Sequence, residues 1–136
     1  MTEAEAISTL MGFVNEVDNL YIDYIGVISA FLIMSYFAAS KLNDNLMYVV
    51  ISLFTLVVAV LVFTIFLLNN DLDNLYSYII DQKQAGAYDL PWFGLNPEWS
   101  SRMLTGLQVI STIGGYTGCL FFFFYQRKLG SDESDT

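Results

Sequence analysis

The chain contains no histidine. Histidine is the commonest general base and the commonest metal ligand, so its absence excludes Ser-His and Cys-His nucleophilic pairs and bis-His haem sites together. A single cysteine, Cys119, excludes an intrachain disulfide. Bases are scarce: five Lys and Arg stand against fourteen Asp and Glu, a net charge of −9. Phosphate contacts need clustered Lys and Arg, which rules out a nucleic-acid partner, and no polybasic patch is present to hold anionic headgroups. The first residues, Met1 to Ala6, are acidic and lead into no early apolar run, so no cleavable secretory signal is expected.

What the chain has is long apolar runs. Of its 136 residues, 55% are hydrophobic. Leu46 to Leu68 is 23 residues without a charge, a proline or a glycine. As a helix it is about 35 Å long, more than the ~30 Å hydrocarbon thickness of a bilayer. Tyr24 to Ser40 is a second uncharged run, extended upstream to Leu20, and Met103 to Gln126 is a third. The expected fold is an all-α membrane protein, a small bundle of three transmembrane helices with amphipathic helical extensions on the extracytoplasmic side.

The segments follow in order. Thr2 and Glu5 form a capping box, and Ile7, Leu10, Met11, Val14, Val17, Tyr21 and Tyr24 recur at helical spacing, so residues 1–19 read as an amphipathic helix. It runs without a breaker into the first span, 20–40. Residues 41–45 make a short turn that forces antiparallel neighbours, with Asp44 or Asn45 capping the second span, 46–68. Residues 69–102 form an extracytoplasmic segment. Leu72, Leu75, Tyr76, Ile79 and Ile80 carry the helical spacing on to about Lys83, and an aromatic loop with Trp92, Phe93 and Trp99 follows. Those rings suit the headgroup belt of a membrane. Asn96, Pro97 and Glu98 suit a helix start. The third span is 103–126, Arg127 and Lys128 stop it, and 127–136 is a cytoplasmic tail whose acidic, serine-rich part, Gly130 to Thr136, is expected to be disordered. The acids of Asn69–Asn74 lack the glycine and the terminal glutamate of a calcium loop. No metal or cofactor is expected.

The third span differs from the second. Gln108, Ser111, Thr112, Gly115 and Cys119 form one small or polar stripe, and Gly114 and Gly118 a G-x-x-x-G beside it. Small residues let helix backbones approach closely, and Gly26 and Ala30 in the first span offer a matching patch. Gln108 is the one strongly polar side chain within a span and is expected to hydrogen-bond a neighbouring helix. Asp23 and Arg102 begin the first and third spans from the same side, which makes them a candidate interfacial ion pair.

Three spans put the termini on opposite sides. Lys41, Arg127 and Lys128 share one side, and Lys83 and Arg102 the other. The positive-inside rule then places the N-terminus outside and the C-terminus in the cytoplasm, with a bacterial inner membrane as the expected location. The outer side carries ten of the acids and two bases. No ionisable group lies near a span midplane, where a proton-coupled carrier needs one. The reading is not an enzyme. It is a small accessory or structural membrane protein acting through helix packing, with the lipid bilayer, another membrane protein or a second copy as partner. The alternative is a self-assembling pore, since the three-span topology resembles that of phage holins, although the tail at Ser131–Asp135 is acidic instead of polycationic.

Overall fold

The computed structural model describes residues 1–94 and 98–134, apart from the side chains of 98–102 and 131–134. It has three helices, α1 (Glu3–Ala38), α2 (Asp44–Gln84) and α3 (Glu98–Ser134), with a 3-10 turn at Ala39–Lys41 between the first two. Among the described residues there is no strand. All three helices are long and apolar enough to cross a membrane.

Local chemistry sets the ends. At the start of α1, the Thr2 hydroxyl accepts from the Glu5 N–H, and the Thr2 N–H donates to the Glu5 carboxylate at 2.8 Å. Asn43, not Asp44 or Asn45, caps α2, its side-chain oxygen accepting from Leu46 N–H at 2.8 Å. Asp44 instead takes the first helical position, where an acid suits the helix dipole. Asn69–Asn74 does not interrupt α2, which runs 41 residues, about 62 Å. It closes in a Schellman motif: Gly86 N–H donates to Lys83 and Ala87 N–H to Gln82, with Gly86 at φ 74° supplying the left-handed residue. The expected start of α3 at Asn96 and Pro97 lies outside the described residues.

α1 and α2 pack as an antiparallel hairpin. Phe31 stacks on Phe54 with ring centroids 3.7 Å apart, while far along the hairpin Ala6 and Leu10 share a core with Ile79. α3 runs parallel to α1. Tyr24 meets Thr112 and Ile28 meets Cys119, separations of 88 and 91 residues, and Ser40 meets Gly130.

Two clusters result. The first joins all three helices through Tyr24, Phe31, Met47, Phe54, Cys119 and Phe123. The second joins the outer ends of α1 and α2 to the loop through Ala6, Leu10, Ile79, Tyr88, Leu90 and Phe93, with no described side chain of α3. Outside the clusters, large apolar side chains point outward: Ile25, Leu56, Phe63, Phe66, Ile110 and Phe121 are all exposed. That covering suits hydrocarbon and not water.

The tail departs from expectation. α3 stays helical past Lys128 to Ser134. Arg127 donates to the Leu42 carbonyl at 3.1 Å and pairs with Asp44, which ties α3 to the turn. Gly130 then lies so close to the turn that a Cβ there would stand 2.1 Å from Ser40 Cβ. In this chain the glycine marks a contact and not a break.

Candidate functional site

Two features of the bundle carry polar groups, a seam and a cleft. The seam is the α3 face against the hairpin. The Tyr24 hydroxyl donates to the Thr112 carbonyl at 2.6 Å, and Tyr116 and Thr55 hydroxyls meet at 2.8 Å. The Cys119 thiol lies 3.8 Å from the Ile28 carbonyl. Gly115 faces the Tyr24 ring, and a Cβ there would come within 2.7 Å of its hydroxyl. A tyrosine suits such a position because its ring is apolar and its tip needs a partner when buried.

The stripe on α3 is divided by this seam. Gln108, Thr112, Gly115 and Cys119 turn toward the hairpin, whereas Ser111, Gly114 and Gly118 are exposed. Gly114 and Gly118 have open space where a Cβ would be. Gly26 and Ala30 are exposed as well and do not face α3. They open a shallow apolar groove between α1 and α2, beside Val57 and Val60, with Asp23 at its lip. The reason is size: Tyr24, Phe31 and Phe123 fill the α1–α3 contact, so the small patches of the two helices point elsewhere.

The side chain of Arg102 lies outside the described residues. Asp23 is exposed and turned toward the α2 groove. Its neighbour Tyr24 is level with Thr112, and residue 102 is ten helical positions, about 15 Å, further out. The two are therefore not at one depth: the register of parallel helices depends on which faces mesh, which equal distance from span ends does not specify.

The cleft opens between α2 and α3 near the outer end of the first cluster. Its volume is about 330 Å³, and Tyr21 of α1 forms its third wall. Val62, Ile65, Phe66, Val109 and Ile113 line its inner part. Asn69, Asn70, Asp73, Thr105 and Gln108 line its outer part, and the Tyr21 hydroxyl faces Asn69. The cleft exists because the buried side chains among those described in α3, Cys119 and Phe123, both belong to its far half. Gln108, expected to bond a neighbouring helix, presents its half-buried side chain to this cleft. Among the described residues no Lys or Arg lines the cleft. Among the described residues no group of three His, Cys, Asp or Glu is placed to hold a metal ion.

Sequence reasoning overlooked this convergence. Asn69, Asn70 and Asp73 read as the end of a span, and only the angle between α2 and α3 brings them to Gln108. It also assigned Phe93 to a headgroup belt. Phe93 is buried in the second cluster, its ring 4.7 Å from that of Tyr76, and its carbonyl accepts from Lys83 Nζ at 2.7 Å. Tyr76 is eight residues beyond Leu68, about 12 Å, because α2 carries the loop outward. Trp92 remains exposed, and the side chain of Trp99 is not described.

Compared with protein-family models, curated proteins and solved structures, the chain matches none.

Proposed function

We propose that this is an integral membrane protein that acts as an accessory or interaction subunit, presenting an acidic two-helix stalk on the outer side of a bacterial inner membrane. One observation carries the reading. α1 and α2 continue past the apolar runs as a packed hairpin with its own core, closed by a loop that is tied back to the start of α1. Tyr88 donates to the Met1 carbonyl at 2.8 Å, and Asp89 N–H donates to the Glu3 carboxylate at 3.0 Å. A chain whose only task was to cross the bilayer would gain nothing from this structure. The ordered stalk bears Glu3, Glu16, Asp18, Asp71 and Asp73, a surface suited to a partner with basic residues.

The orientation, N-terminus out and C-terminus in, rests on Lys41, Arg127 and Lys128. Arg127 bonds the turn that follows Lys41, so the three bases count together at one end. Cysteine labelling tests it. Cys119 is buried, which keeps the background low. An impermeant thiol reagent reaches Ala87→Cys in intact cells and leaves Ser134→Cys unlabelled; the reverse pattern inverts the topology. For the function, a photo-crosslinker at Asp71 captures a defined protein adduct, and one at Val57 captures lipid. Adducts at neither position remove the stalk as an interaction surface.

A pore is the second reading. The centre of a single bundle is filled by Phe31, Phe54, Tyr116 and Phe123, so any pore must form between copies. The exposed Gly114 and Gly118 strip is the surface on which copies would meet. Dye release from liposomes carrying the purified protein favours this reading, and tight liposomes at high protein density exclude it.

A further inference from the structure

We infer that Gly114 and Gly115 form a hinge in α3. On it the outer arm, Met103 to Ile113, swings between the open cleft of this structure and a closed form that lies against the α1–α2 hairpin. Three features meet at these glycines. The first is a change in anchoring. Inward of them, Cys119 and Phe123 are buried, the Phe123 ring lies 5.6 Å from that of Phe31, and Arg127 is bonded to the Leu42 carbonyl. Outward of them, Met103, Leu104, Leu107, Val109 and Ile110 are all exposed. From Met103 to Ile113 only Gln108 and Thr112 are half-buried. The bond from the Tyr24 hydroxyl to the Thr112 carbonyl holds α1 to α3 at this boundary.

The second feature is the helix itself. Glycine is a weak helix former, and here two stand in succession. A bend lengthens backbone bonds, and in hydrocarbon the freed carbonyls need side-chain donors in place of water. Such donors are in position. The Thr117 hydroxyl donates to the Ile113 carbonyl at 2.8 Å and reaches the Gly114 carbonyl at 3.3 Å. The Thr112 hydroxyl donates to the Gln108 carbonyl at 2.8 Å, and Tyr24 donates to the Thr112 carbonyl at 2.6 Å. Threonine bonds of this kind also bend helices. The third feature is room to move. A Cβ at Gly114 would meet nothing within 4 Å, and the cleft of about 330 Å³ separates the arm from α2. At Gly115 a Cβ would stand 2.7 Å from the Tyr24 hydroxyl, so the ring tip is a fulcrum beneath the helix. The arm is about 15 Å long, and a kink of about 20° at its base carries its outer end about 5 Å. The inference rests on membrane insertion and not on the accessory function proposed above.

The test is double electron–electron resonance on the full chain in lipid nanodiscs, in a Cys119→Ala background. Spin labels go on exposed positions. One pair, Leu67→Cys with Met103→Cys, reports on the arm, and another, Leu53→Cys with Phe121→Cys, reports on the anchored half. The arm pair gives two distances, the open one and one shorter by about 5 Å, as a kink of about 20° requires. The anchored pair gives one. Gly114→Ala lowers the share of the shorter distance about fivefold, the fold-change that corresponds to the ~1 kcal/mol advantage of alanine over glycine in a helix. Thr117→Val lowers it as well, because the bent carbonyls lose their second donor. Gly118→Ala, in equally open space on the anchored half, leaves both pairs unchanged. A single distance for the arm pair overturns the inference. So does survival of the shorter distance in Gly114→Ala or in Thr117→Val. Two distances at the anchored pair also overturn it, since α3 then moves as a whole. An effect of Gly118→Ala equal to that of Gly114→Ala does the same, because it assigns the second distance to contact between copies.

Discussion

The two packed regions of this molecule are built by different rules. In the first cluster, three helices meet through stacked rings and through side-chain hydrogen bonds at Tyr24–Thr112 and Tyr116–Thr55, and the outward faces are apolar. In the second, two helices and a loop bury Ile79, Leu90 and Phe93 beneath an outer surface of Glu3, Glu16, Asp18 and Asp71. On the membrane reading proposed above, the contrast follows from the solvent. Lipid tails are as apolar as leucine, so helices in hydrocarbon associate through close packing and polar bonds. Water drives the same side chains together by itself. The long helices α1 and α2 contribute to both clusters, whereas the described side chains of α3 take part only in the first.

If this division is real, the two regions should fail separately. The largest effect is expected for Phe31→Ala, which removes the ring between Phe54 and Phe123. It should cost about 3–5 kcal/mol in mixed-micelle unfolding, by analogy with large-to-small changes in protein cores. Amide protection around Ile79 should persist. Loss of protection in both regions together would show one cooperative unit. The converse variant, Ile79→Ala, should cost about 2–5 kcal/mol and melt the stalk and its loop, leaving the α1–α3 seam able to form an engineered cross-link between residues 28 and 119.

A smaller effect sharpens the first region alone. Gly115→Leu drives a side chain into the Tyr24 hydroxyl and should cost about 1–3 kcal/mol as overpacking. Val57→Leu, on the exposed face of α2, should be nearly silent. Equal tolerance at the two positions would remove the distinction between the packed and lipid-facing sides.

The smallest effect belongs to the second region and is a pH dependence. The capping bonds to Thr2 lower the Glu5 carboxyl below its usual value of 4.5. A lowered folded-state value means stability that is fully present above the usual value and lost as the pH falls through the lowered one. Protection of the first turn of α1 should therefore decline at acid pH, with α3 unaffected. Glu5→Gln should remove most of that dependence, whereas Thr2→Ala, which keeps the backbone N–H bonded to Glu5, should remove only the smaller part due to the hydroxyl. An unchanged acid profile in Glu5→Gln would separate Glu5 from the dependence.

Much of the architecture was legible in the chain. The three apolar runs, the capping box at Thr2 and Glu5, and the extension of α2 to the neighbourhood of Lys83 are local properties, written in hydrophobic spacing and in single capping residues. What was not legible also shares a cause. Gly114, Gly115 and Gly118 are equivalent in composition, but neighbouring positions on a helix differ by about 100° in direction. Only Gly115 faces Tyr24. Asp23 and Arg102 read as level because both begin spans, and the meshing of α1 with α3 sets them about ten residues apart.

By itself the sequence determined that there are three long apolar helices and which of their runs suit hydrocarbon. A helix satisfies its own backbone hydrogen bonds, so its existence and length depend on neighbours in the chain. The tertiary structure alone decided which faces meet. Arg127 reaching the Leu42 carbonyl, Gly130 lying against Ser40, and Gln108 joining Asn69 and Asp73 around one cleft each depend on how large and small side chains of different helices fit together. That fit is a matter of shape across distances of many tens of residues, which no local pattern encodes.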